Sequence, residues 1–363
     1  MLLRQWLYTP MSRCTGRSKD PLIEQTSPFL PGTLAPRRYR WTGALVFAIF
    51  VLYLLLSHDF IPTESLRASD SNTSIAVDWS QFAYTQYVTN SEYLCNSVMF
   101  FESLDHLSSQ ADRVMMYPSK MFNSENDTSR DIELLVKARD EYNVKLVPIT
   151  VQHKDNADAT WADSFTKLLA FNQTQYSRVL SIDSDSLILQ NMDELFLLPP
   201  APVAMPRAYW MLPDTDMLSS QVILIQPSAT EFSRIQARID SASKNDYDME
   251  IVNDVYGHSA LVLPHRPYDM ITGEYREDNH TKYLGSDAEP WDPVAAYNEA
   301  KLIHFSDWPI PKPWIPTPED LRLEIQPPCK SINGTEDCSE RTIWNSFYTD
   351  FKLKRKEVCG KNW

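Results

Sequence analysis

Two carboxylates, Asp183 and Asp185, stand one residue apart at the end of an apolar run, and this spacing can do chemistry. Val179, Leu180 and Ile182 read as a short buried strand, and a second apolar run, Leu187 to Leu189, begins just after the acids. In an open α/β sheet, ligands bind beyond the carboxyl ends of the strands, so this junction belongs at the mouth of a cleft. Residues i and i+2 of extended chain point to one side, which lets both carboxylates face one divalent cation and, through it, a diphosphate. Bare Asp-x-Asp triplets are common in solvated loops; the strand in front of this one gives it weight.

A second segment lies far downstream. From Lys301 to Trp314 the chain reads KLIHFSDWPIPKPW: a short apolar strand, His304, and then Lys312 among prolines and tryptophans. Taken singly, His304 is a core histidine and Lys312 a solvated loop lysine. Taken with the acids, a neutral imidazole completes a carboxylate metal site, and an ammonium neutralises a phosphate leaving group. Trp308 and Trp314 could stack on sugar rings, although aromatic side chains more often fill cores.

The elements that must hold these residues alternate between strand and helix. Strands are expected at Phe82 to Thr89, Asp112 to Tyr117, Val144 to Val151, the run ending at Asp183, and Ser219 to Pro227. Helices are expected at Ser91 to Leu107, Ser129 to Tyr142, Ala162 to Phe171, Thr230 to Ser241 and Asp246 to Tyr256. Such alternation predicts an α/β fold with a mainly parallel sheet covered on both faces. The chain has eight glycines and contains no G-x-G-x-x-G and no phosphate-binding P-loop, which argues against dinucleotide oxidoreductases and kinases. H-E-x-x-H and C-x-x-C are absent too, so zinc hydrolysis by those motifs is not expected.

The N-terminal part fixes an expected compartment. Trp41 to Ser57 carries no charge and is apolar enough to cross a bilayer, at the short end of the usual range, which suits a thin membrane. About 40 residues precede it, far more than a cleavable signal peptide carries, so an uncleaved signal anchor is expected. Arg37, Arg38 and Arg40 come before the span, and Asp59 and Glu64 after it, leaving the N-terminus cytosolic and the rest lumenal. Residues 1–40 hold seven Lys/Arg against two Asp/Glu, and the remainder 27 against 46. An acidic lumenal domain is not a nucleic-acid binder. The expected organisation is a cytosolic tail 1–40, the anchor 41–57 as the membrane contact, a polar stem 58–80, a catalytic domain 81–320 and a C-terminal extension 321–363.

Cys14 falls on the cytosolic side and leaves Cys95, Cys329, Cys338 and Cys359 where disulfides form. Three pairings are open, and clustering of the last three suggests a staple in the tail. Glycosylation sequons occur at Asn72, Asn126, Asn172, Asn279 and Asn333, all beyond the span. Asn172, in an expected helix beside the central strand, is the one expected to be unused.

Four segments together resemble glycosyltransferase family 8, the glycogenin-like enzymes, which have the Rossmann-like GT-A fold. They are Tyr87-Val88-Thr89-Asn90 with Tyr93; Phe165-Thr166-Lys167-Leu168 with Asp183-Ser184-Asp185; Asp248-Met249-Glu250-Ile251-Val252-Asn253; and His304-Phe305-Ser306 with Lys312-Pro313-Trp314. The resemblance implies Asp183, Asp185 and His304 as manganese ligands, with Ser184 beside them at the nucleotide. It implies Thr89, Asn90 and Tyr93 as contacts to uracil and ribose, Lys167 and Lys312 as cationic partners of donor sugar or diphosphate, and Asp248 facing the donor sugar as the carboxylate to test at the anomeric centre. It also implies retention of configuration. Met249 and Ser219-Ser220-Gln221 depart from the family pattern, so the donor need not be glucose. HFSDWPIPKPW, YDMEIVND and LPHRPYDMITGEYR are closer to fungal Golgi type II α-N-acetylglucosaminyltransferases, the glucose N-acetyltransferase group. That resemblance implies transfer of N-acetylglucosamine from a UDP donor to a mannose-bearing glycan in the Golgi. The alternatives are a glucosyl- or galactosyltransferase on the same scaffold, or a non-catalytic lumenal protein that binds glycan or nucleotide.

Overall fold

The computed structural model describes residues 76–122, 129–155, 161–332 and 334–360. The expected tail, the span 41–57 and most of the stem lie outside them, as do the sequons at Asn72, Asn126 and Asn333. Among the described residues no helix is long and apolar enough to cross a membrane.

A seven-stranded sheet in the order β3-β2-β1-β4-β7-β6-β8 forms the body. Its strands are β1 (Phe82–Tyr87), β2 (Asp112–Pro118), β3 (Val144–Ile149), β4 (Arg178–Ile182), β6 (Val203–Pro206), β7 (Val222–Ile225) and β8 (Leu261–Leu263). β1 pairs in parallel with β2 and β4, and β2 with β3; β7 is antiparallel to β4 and β6, which leaves β7 as the one reversed strand. The sheet is therefore mixed and mainly parallel.

Burial on both faces explains the apolar strands. Along β1, β2 and β4, Ala83, Val114 and Val179 face one core, with Phe165, Leu168, Ile223 and Ile251. Their neighbours Tyr84, Met115 and Leu180 face the other, with Leu94, Phe101 and Phe196. The longer helices that cover the sheet are α1 (Ser91–His106), α2 (Arg130–Tyr142), α3 (Ala229–Asp240), α4 (Asp248–Tyr256) and α5 (Ser339–Cys359). The helix expected at Ala162 to Phe171 is instead a 3-10 run, Ser164–Asn172. Asn172 ends it exposed, which removes the steric reason for expecting that sequon to be unused.

Part of the design was not visible in the pattern. The apolar run after the acids, β5 (Ser186–Ile188), leaves the main sheet and joins β9 (Met270–Ile271) and β10 (Leu302–His304) in a second, three-stranded sheet, order β5-β10-β9. The C-terminal segment also enters the core: Trp344, Phe347 and Phe351 of α5 are fully buried in the same cluster as α1. Cys95 of α1 is bonded to Cys359, and Cys329 to Cys338 across a short hairpin, which resolves the open pairings.

Candidate active site

Asp183, Ser184 and Asp185 form the crossing from the large sheet to the small one. Ladder hydrogen bonding carries one residue past β4, where the Asp183 N–H donates to the Gln221 carbonyl at 3.0 Å. The last strand carbonyl, that of Ile182, accepts from the Gln86 amide at 2.9 Å, and Ser97 fixes Gln86 in turn. On the far side β10 runs antiparallel to β5 with His304 opposite Ser186, and the Phe305 N–H donates to the Asp185 carbonyl at 2.9 Å. The small sheet is thus the device that brings residue 304 to residue 185.

The side chains meet accordingly. His304 Nε2 lies 3.2 Å from Asp185 Oδ1 and 3.8 Å from Asp183 Oδ2. Lys312 Nζ is 2.6 Å from Asp185 Oδ2 and donates to the Phe305 carbonyl at 2.6 Å. On the other flank Lys167, almost fully buried, sits 2.7 Å from Asp183 Oδ1 and 2.6 Å from Asp248 Oδ2, and donates to the Ser220 carbonyl at 3.0 Å. Ser220 Oγ donates to the same Asp248 oxygen at 2.7 Å. Asp248 opens α4, where negative charge is favoured by the helix dipole.

Charge and burial pull these groups apart. Burial alone would raise Asp185, but the Lys312 ammonium and His304 outweigh it and hold its carboxyl well below the ordinary range. Burial raises Asp183, opposed by Lys167 and reinforced by Asp185. Burial also works against a charged Lys167, yet Asp183 and Asp248 outweigh it and keep the ammonium above its usual value. Tyr87 and Tyr93 are pushed up by burial first and then by the acids they overlook.

Asn90 caps α1, its side-chain oxygen accepting from the N–H groups of Glu92 and Tyr93 at 3.0 and 3.2 Å. Thr89 is half-buried on the same turn. Tyr93 packs edge-on against Trp314, with ring centroids 5.3 Å apart, and Trp314 in turn meets Phe351 of α5. The structure thus gathers Asp183, Asp185, His304 and Lys312 around one point, with Lys167 and Asp248 beside it. Thr89, Asn90 and Tyr93 stand at the head of α1, next to the segment that carries Lys312.

Sequence reasoning quoted the segments that contain Tyr87 and Asp269 but gave neither residue a role. Tyr87 ends β1 beside β4, and its hydroxyl is 3.4 Å from Asp183 Oδ1; that pairing was the signal available. Asp269, immediately before β9, is fully buried and lies within the quoted LPHRPYDMITGEYR stretch, where it was given no role.

The donor set suits a divalent cation. Ligand atoms of Asp183, Asp185 and His304 all lie within 4.8 Å of one another, and two hard carboxylates with one imidazole can ligate a divalent cation. A positive group, the Lys312 ammonium, already neutralises Asp185 there. Cys329, Glu336 and Cys338 also converge, but both sulfurs are spent in the disulfide.

No protein-family model matches the chain. It is 59% identical over 298 residues to glucose N-acetyltransferase 1 of Gibberella zeae, over 79% of this chain and 66% of that one. With glucose N-acetyltransferase 1 of Aspergillus fumigatus it shares 46% identity over 336 residues, 87% and 86% of the two chains. It therefore spans about two thirds of the first relative's length and most of the second's. Among solved structures it resembles the apo form of WbbM, a bifunctional glycosyltransferase, with a TM-score of 0.47 and 15% identity over 78% of this chain and 52% of that one. The protein is a glycosyltransferase. Within that class the chain belongs to the glucose N-acetyltransferase 1 family.

Proposed function

We propose that this glycosyltransferase moves N-acetylglucosamine from a UDP donor to a mannose-bearing glycan, with retention of configuration, as a manganese-dependent, family 8 enzyme of GT-A type in the Golgi lumen. The observation that carries the proposal is the meeting at one point of Asp183 and Asp185, from the β4–β5 crossing, with His304 at the end of β10, more than a hundred residues away. The donor sugar rests on the name its relatives carry and on the sequence resemblance; the Golgi location rests on the charge-flanked apolar run at 41–57 and that same resemblance.

Asp183, Asp185 and His304 would hold the manganese, which would supply positive charge to the leaving diphosphate. The chain's own residues do the rest. Lys312, half-exposed and next to Asp185, is placed to hand its ammonium from that carboxylate to the leaving phosphate, so that no proton transfer is needed there. Lys167 bridges Asp183 and Asp248, which fixes Asp248 toward the donor sugar. Asn90 and Tyr93 at the head of α1 offer an amide and an aromatic ring to the nucleoside.

Full-length protein assayed with a panel of UDP-sugars, with and without manganese, tests this. Turnover of UDP-N-acetylglucosamine is expected, lost by about a thousandfold or more in Asp185→Ala and His304→Ala. Unchanged turnover in both variants would sink the metal assignment. A strong preference for UDP-glucose would sink the donor.

A further inference from the structure

The segment that carries His304 and Lys312 is pinned almost everywhere except at one residue. Asp307 is buried and accepts from three donors: Arg276 Nε at 2.5 Å, Trp344 Nε1 at 2.7 Å and the Tyr348 hydroxyl at 2.8 Å. Ile310 is buried, and its N–H returns to the Asp307 carbonyl at 2.8 Å, closing a tight turn. The Ser306 carbonyl accepts from the Gly273 N–H at 3.1 Å, and a Cβ at position 273 would stand 2.9 Å from that oxygen, so only glycine permits the approach. Lys312 is held by Asp185 and Phe305. At the tip of this clamped turn, Trp308 is 86% exposed, while Arg276 holds its carbonyl at 3.0 Å.

The fold gains almost nothing from an indole left in water. Its partner in the motif, Trp314, shows the alternative, packed between Tyr93 and Phe351. A membrane or an apolar protein partner would call for a contiguous apolar patch. Within the turn Ser306 is exposed, Asp307 buried and Pro309 half-buried, so the indole stands as a single aromatic face with one exposed hydroxyl side chain two residues away. That combination matches a pyranose, whose C–H face meets the electron-rich ring while its hydroxyls keep polar partners. The turn begins three residues after His304 and ends two before Lys312, so the indole is carried by the same segment as the proposed metal ligand and the leaving-group cation.

We propose that Trp308 is an acceptor-binding residue, its indole face receiving a hexose ring of the glycan to which the sugar is transferred. The inference rests on the acceptor class proposed above, and its test does not depend on turnover. A mannose trisaccharide is titrated calorimetrically into the full-length protein with manganese and UDP, for the wild type, Trp308→Ala and Trp308→Phe. The alanine variant is expected to bind about tenfold more weakly, with most of the loss recovered in phenylalanine, at an unchanged melting temperature. Binding of the trisaccharide within twofold of wild type in Trp308→Ala, or no binding by the wild type, overturns the inference. Should binding depend on Trp308 while no UDP-sugar is turned over, the acceptor site stands and the proposed activity falls.

Discussion

Lys167 and Lys312 bracket the same row of acids, and the protein treats them differently. Lys167 enters from the 3-10 run and spends its ammonium on Asp183, Asp248 and the Ser220 carbonyl, with its side chain 3% exposed. All three of its protons have acceptors. Lys312 comes from the pinned turn, reaches Asp185 and one carbonyl, and keeps its side chain 28% exposed. Equal charges therefore do unequal work: one is a permanent counterion built into the core, the other a counterion that substrate can compete for.

Replacement of Lys167 should produce the larger effect on folding. Lys167→Met leaves two buried carboxylates without their shared cation, a loss of about 3–5 kcal/mol when one member of a buried ion pair is removed. Urea unfolding should show it as a lower midpoint at constant slope; a midpoint unchanged from wild type would break the contrast. Lys312→Ala should leave the midpoint within experimental error and lower kcat by about 10²–10³, the usual cost of deleting one group that stabilises developing negative charge. The same variant should bind manganese more tightly in the absence of donor, because no ammonium then competes for Asp185; calorimetry with the metal alone decides that point. If Lys312→Ala unfolded as easily as Lys167→Met, the two lysines would be the same kind of residue.

The sequence allowed some of this to be read and hid the rest, for a physical reason. Alternation of strand and helix gives the main sheet, because strands buried on both faces must be largely apolar, as Val179, Leu180 and Ile182 are around the small Ser181. The meeting of residue 304 with residues 183 and 185 was expected from residue types and from resemblance, and the distances agree with it. The apolar runs that become β5 and β10 were read, but their pairing with β9 into a small sheet could not be, since β9 has two residues and β10 three, too short to show a partner or a register. Nor could the disulfide pairing, because α5 returns to α1 across 264 residues and no local pattern encodes that contact. Ser219-Ser220-Gln221 looked like a simple departure from the family pattern, yet the Ser220 hydroxyl and carbonyl both serve the Lys167 and Asp248 pair.

Asp269 gives the finest test of the Lys167 side. It is fully buried, and neither oxygen has a hydrogen-bond partner among the described residues; Ser219 is close enough to favour the charged form slightly, but outside good bonding geometry. Burial, with a further push from Asp183, raises its carboxyl to about 8. An acid whose folded value exceeds its unfolded value of about 3.9 keeps a proton that the unfolded chain has lost, so its contribution to stability is complete below about pH 4. That contribution falls as pH rises toward 8, by at most about 1.4 kcal/mol per unit. Asp269→Asn cannot ionise and should be free of this slope, so wild type should lose stability relative to the variant between pH 5 and 8 and run parallel to it above. Unfolding free energies measured for both at half-unit steps check the sign. Parallel curves across the whole range would mean that Asp269 is ionised in the fold, leaving Lys167 to neutralise three carboxylates instead of two and removing the clean division between a locked lysine and one that substrate can compete for.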